Sequence, residues 1–186
     1  MLTRMDVDQA RELMHEWVAS DSLRFHMESV AACMAHGARN AAPDDIDRWT
    51  VCGLLHDFDY EKHPTAEEHP FVGVAHLRER GDVDEEIIEA ILGHATYSGV
   101  PRTSEMAKHL FAMDELAGFI VACCKVRPGG IEGLTPKSVR KKLKTANFAA
   151  AVNRADIALG AEELGFEPAD HIQRCIDSLT PWMAHH

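Results

Sequence analysis

Apolar residues recur at spacings of three and four almost throughout this chain, and no stretch alternates apolar with polar long enough to argue for a sheet strand. That periodicity predicts an all-α fold. It places about nine helices near residues 6–19, 22–40, 44–57, 70–80, 84–95, 104–125, 136–144, 150–164 and 168–183. Punctuation supports the divisions: Pro43-Asp44 and His69-Pro70 precede helices, Arg80-Gly81 follows one, and Thr103-Ser104 and Thr135-Pro136 open two more. With 186 residues the expectation is a single domain over 1–186, able to bury roughly 70% of its unfolded surface. The break at Arg127-Pro128-Gly129-Gly130 sets off a C-terminal helical extension, about 131–186.

Composition narrows the function classes. The longest apolar run, between Glu115 and Lys125, is far below the ~20 residues of a membrane span, and the first residues lack the apolar core of a targeting signal. Five Cys with no C-x-x-C pair suit a reducing compartment, so a cytoplasmic location is expected. A net charge of −11 disfavours bulk nucleic acid and anionic lipid, which need a surplus of Lys and Arg. A small phosphorylated ligand is still compatible, and Lys137, Arg140, Lys141, Lys142 and Lys144 form a basic run. That run reads mainly as a solvated face, with a substrate phosphate as the alternative for one or two of its cations. The chain is expected to fold alone or as an oligomer.

Ligand-type side chains recur where apolar ones belong. His26 shares a stripe with Val30 and Cys33; His56-Asp57 ends the apolar stretch Gly53-Leu54-Leu55; His94 continues the stripe of Ile87 and Ile91. Asp114 lies on the stripe Ala107, Leu110, Ala117 and Val121. One inward His is usually an ordinary core residue, but burying an unpartnered imidazole or carboxylate costs several kcal/mol, and a shared divalent cation would satisfy all of them.

The ordered set H…HD…H…D resembles the HD superfamily of metal-dependent phosphohydrolases over roughly residues 20–125. It is most similar to small bacterial predicted hydrolases of that superfamily, through Leu54-Leu55-His56-Asp57-Phe58-Asp59-Tyr60-Glu61, Glu68-His69-Pro70 and Asp114-Glu115-Leu116-Ala117-Gly118-Phe119. The resemblance implies an all-helical HD bundle in which His26, His56, Asp57 and Asp114 hold one metal. A two-metal subset adds two histidines, positions that His69 and His94 match. His63, His76 and His109 read as surface or supporting residues. Where many members carry a Lys three residues after the HD Asp, this chain has Tyr60, with Lys62 two residues later.

The resemblance implies hydrolysis of a phosphomonoester, phosphodiester or nucleotide by a metal-activated water, on two cations about 3.5–4 Å apart. His26, His56 and Asp114 would hold one metal, His69 and His94 the other, with Asp57 between them. Imidazole-rich donors favour Fe, Mn, Ni, Co or Zn over Mg or Ca. Asp57 carries the catalytic role, and Lys62, Arg102 or Arg127 could steady the phosphate. Two rivals use the same residues: a diiron HD-type oxygenase, and a non-catalytic HD module that binds a nucleotide. The terminal His185-His186 pair is a candidate for adventitious metal.

Overall fold

The structure is a computed structural model, described over residues 4–185; His186 lies outside the described residues. Among these are nine α-helices and no strand: α1 Val7–Trp17, α2 Asp21–Ala41, α3 Ile46–Leu55, α4 Phe71–Arg80, α5 Glu85–His94, α6 Glu105–Lys125, α7 Pro136–Leu143, α8 Arg154–Glu163 and α9 Pro168–Met183. Short 3-10 turns at Pro43–Asp45 and Thr96–Ser98 precede α3 and follow α5. The all-α expectation holds. No helix among the described residues is long and apolar enough to cross a membrane.

Several of the helices start where side chains satisfy the free amides of a first turn, among them α1, α2, α5, α7 and α8. Asp6 and Gln9 form a capping box on α1, Ser20 caps α2, and Asp84 accepts from the Ile87 amide of α5. Most boundaries fall within two residues of the sequence expectation, and two of the differences shape the structure. α3 ends at Leu55, so His56 and Asp57 leave the helix and lead into a run of turns. α8 begins at Arg154 rather than near 150, because Asn153 caps it and the Arg154 guanidinium donates to the Phe148, Ala149 and Val152 carbonyls, which holds the preceding segment in turns.

The chain divides into two compact units between Phe111 and Ala112, within α6. In the first unit α3 packs on α1, α2 and α5, and α4 packs on α5. Gly53 makes the α2–α3 approach possible: a Cβ there would stand 2.6 Å from the Ala31 Cα. Met27, Met34, Leu54, Leu55, Phe58, Leu77, Ile88 and Ile91 are fully buried there, each worth on the order of 1.5–3 kcal/mol of burial. Arg48 of α3 pairs with Asp84 at 3.0 Å and Glu86 at 2.7 Å, tying α3 to the start of α5. In the second unit α9 packs on α7 and α8. A Cβ on Gly160 of α8 would lie 2.5 Å from the Ala112 Cα, and the buried His171 donates from Nε2 to the Ala112 carbonyl at 3.0 Å.

Candidate metal centre

Four histidines from four segments converge on one carboxylate in the first unit. His26 comes from the second turn of α2, His56 caps the C-terminus of α3, His69 stands just before α4, and His94 is the last residue of α5. Asp57 follows His56, and its side chain is 16% exposed. Its Oδ1 lies 3.3 Å from Nε2 of both His69 and His94. Its Oδ2 lies 3.5 Å from the Nε2 of His56 and 3.8 Å from that of His26. Each oxygen therefore faces its own pair of imidazoles, and within each pair the Nε2 atoms are 3.3 Å apart.

The other face of three rings fixes their tautomers. His56 Nδ1 meets the Gly53 carbonyl at 2.8 Å, His94 Nδ1 meets the Ile91 carbonyl, and His69 Nδ1 meets Asp59 Oδ1 at 2.7 Å. Carbonyls and carboxylates only accept, so each Nδ1 must donate and each neutral ring presents its Nε2 lone pair to the centre. Three acceptors, His69 Nε2, His94 Nε2 and Asp57 Oδ1, then form a triangle of 3.3 Å edges with no proton among the neutral forms. Ligands at ~2.1 Å from a tetrahedral metal lie about 3.4 Å apart, so the spacing fits a shared cation. The donors suit transition metals, since imidazole nitrogen outnumbers oxygen.

The charge distribution agrees. Burial would lift the Asp57 carboxyl, but the neighbouring His56 and the hydrogen bonds of His69 and His94 hold it well below the usual carboxylate range. Burial would lower His69, yet Asp57 and Asp59 outweigh it and push that imidazole up to about 9. The two carboxylates that favour a proton on His69 would equally favour a cation beside it.

Asp59 is a residue to which the sequence reading gave no role, quoting it only within the stretch from Leu54 to Glu61 that carries the family resemblance. Its side chain is 1% exposed, and besides His69 it accepts from the Gly73 amide at 2.7 Å. Tyr60, at the position of the family's Lys, sets its ring edge on His69 with centroids 5.1 Å apart and is 44% exposed. Tyr97, also unremarked, is 53% exposed, and burial followed by the charges of Asp57 and Asp59 raises its phenol.

Asp114 is half-buried on α6, beyond the limit of the first unit, and Ala107, Leu110, Ala117 and Val121 of its stripe are buried as expected. Lys62 is exposed with Nζ 4.7 Å above the Trp17 ring. Arg102 donates to the Gly93 carbonyl at 2.8 Å and covers Phe111. Arg127 belongs to the second unit and donates to the Gly130 and Glu132 carbonyls at 3.1 and 3.2 Å. His63 pairs with Glu68 at 3.2 Å and His76 lies against Trp17, while His109 is buried against Trp49 rather than on the surface.

A helical fold that turns four imidazoles onto one carboxylate defines a protein suited to divalent metal. Residues 24–118, just over half of the chain, match the HD domain family, and the chain belongs to that family. HD domains bind divalent metals and are generally metal-dependent phosphohydrolases. No curated protein and no solved structure matches the chain.

Proposed function

We propose that this HD protein is a metal-dependent phosphohydrolase acting on a small phosphomonoester, phosphodiester or nucleotide. The observation that carries the reading is the division of labour at Asp57, whose two oxygens face separate histidine pairs. His56 and His26, with Asp114 supplied by the family pattern, would hold one metal, and His69 and His94 would hold a second, with Asp57 available to both. When bound, a pair of divalent ions would lower the pKa of a water toward neutrality and offset charge on the phosphoryl oxygens.

The chain's own groups prepare that chemistry. The Gly53 and Ile91 carbonyls and Asp59 hold the protons of His56, His94 and His69 on Nδ1, which keeps the Nε2 lone pairs turned to the centre. Asp57 stays ionised across the physiological range, so it is always available as a ligand. Tyr60 and Tyr97 leave phenols at the exposed side of the site, where they can orient a substrate oxygen. For Lys62 to meet a substrate phosphate, its ammonium would have to leave the Trp17 face.

The test is an anaerobic assay of metal-loaded protein against a panel of phosphomonoesters, phosphodiesters and nucleotides with Mn, Fe, Co, Ni or Zn. Phosphate or nucleotide release without O₂, abolished by Asp57→Ala, is expected. Substrate-dependent O₂ uptake with no phosphate released would replace the hydrolase by an oxygenase. Tight nucleotide binding with no turnover across the panel would replace it by a binding module.

A further inference from the structure

The second unit holds cations that the proposed hydrolysis does not use. Residues 112–186 carry nine Lys or Arg and nine Asp or Glu, so the whole net charge of −11 falls on residues 1–111. Seven of the nine cations lie between Lys125 and Lys144, where Glu132 is the only acid. Lys137 and Lys141, and Arg140 and Lys144, are four residues apart on or beside α7, a spacing at which like charges repel.

One face of that segment is built around a cavity. Lys141 and Lys142 lie three and four residues beyond Ser138, and Thr145 lies four and three beyond them, just past the end of α7; with Cys123 and Arg127 these residues line a space of about 280 Å³. No carboxylate lines it. Among the described residues Arg127, Lys141 and Lys142 have no ion pair with an acid. Lys142 rests its Nζ 4.7 Å from the Phe148 ring, a contact that positions the ammonium without neutralising it. Arg127 spends Nε and one Nη2 hydrogen on loop carbonyls, which leaves three of its five N–H donors. The buried Cys123 thiol is pushed up to about 11 by burial and by Cys124, with Lys142 and Arg127 opposing, so the field of both cations reaches the cavity wall.

Three cationic side chains and Thr145 line a space with no counter-charge, a set that favours a multiply charged anion accepting several hydrogen bonds, while the mostly apolar exposed lining offers a surface for an organic group. A carboxylate brings one charge, whereas a phosphate ester brings close to two and three acceptor oxygens. The space lies just below the ~300–1,000 Å³ of typical ligand sites, which suits a phosphate with a small organic group. We propose that this cavity binds a phosphorylated small molecule through Arg127, Lys141, Lys142 and Thr145, as a ligand site made from the second unit alone.

The test uses inorganic phosphate as probe on full-length, metal-free protein, read by thermal melting and by calorimetric titration against chloride of equal ionic strength. Phosphate is expected to raise the melting temperature saturably where chloride does not. Lys141→Ala/Lys142→Ala, two exposed positions, should weaken phosphate binding at least tenfold, and Lys141→Arg/Lys142→Arg should restore most of it. His56→Ala should leave phosphate binding intact, which separates this site from the metal centre and from any failure of the hydrolase reading. An equal response to chloride, no saturable response, binding undiminished in the double Ala variant, or binding lost in His56→Ala would each overturn the proposal.

Discussion

His69 donates from Nδ1 to Oδ1 of Asp59 over 2.7 Å, and Asp59 uses its other oxygen to accept from the Gly73 amide, also at 2.7 Å. A buried acid with both oxygens committed this way is a rigid mount for an imidazole. It fixes the tautomer, aims Nε2 at Asp57, and makes that nitrogen a stronger donor to a cation.

Asp59→Asn is therefore expected to lower divalent-metal affinity about 10- to 100-fold while the helical content is unchanged. Calorimetric titration with Mn or Zn, beside a circular dichroism spectrum, checks both halves. Metal binding equal to that of the unaltered protein would remove Asp59 from the account.

The proton held near His69 predicts a pH dependence. In the metal-free fold His69 stands at about 9 against its ordinary 6.5, so its stabilising contribution is complete below 6.5 and is lost as pH rises through about 9. Asp57 contributes in the opposite direction, above its ordinary 3.8, and loses that contribution only as pH falls through its depressed value. Metal-free protein should thus become less stable between pH 6.5 and 9, while apparent metal affinity climbs over the same interval with release of a proton. Metal titrations in buffers of different ionisation enthalpy measure that release. An affinity flat from 6.5 to 9 would contradict the assignment.

Gly53 lets α2 and α3 approach closely enough for His26 and His56 to meet. Gly53→Ala would put a Cβ 2.6 Å from the Ala31 Cα and 2.8 Å from its amide nitrogen, so the helices must part. Urea denaturation should show a loss of about 1–3 kcal/mol, and metal affinity should fall with it. Unchanged stability would mean that the approach has slack.

Asp84 joins two roles, as N-cap of α5 and as partner of Arg48. Asp84→Ala is expected to cost about 2 kcal/mol, from the lost cap and from a half-buried guanidinium deprived of one partner. Burial would raise the Asp84 carboxyl, but Arg48 and the Ile87 amide hold it below 3.8. Its contribution is present above that pH and lost as pH falls through the depressed value, so the variant and the parent should converge in stability in strong acid. A gap that persists unchanged in acid would exclude the ion pair as its source.

Much of the fold is legible because helix signals are local. Asp6, Ser20, Asp84, Thr135 and Asn153 each cap a helix with their own side chains, and the spacing of Ile87, Ile91 and His94 already turns His94 inward. The site is legible as far as its residues sit on such stripes or match a family motif. Asp59 was hidden because a carboxylate beside Tyr60, Glu61 and Lys62 looks solvated until α4 folds its Gly73 amide over it. The close approaches of Gly53 to Ala31 and of Gly160 to Ala112 depend on segments 22 and 48 residues apart, which no local spacing records. For Lys62 and Arg127, charge alone gave no sign that Trp17 and the Gly130 and Glu132 carbonyls would hold them.

The most direct test of the central claim is anomalous X-ray scattering at the metal edge from crystals loaded with Mn or Zn, with His185 and His186 changed to Ala to remove adventitious ligands. The account predicts two peaks flanking Asp57, one within coordination distance of Oδ1, His69 and His94 and the other of Oδ2, His26 and His56. Peaks confined to other parts of the chain, or none beside Asp57 at saturating metal, would contradict it.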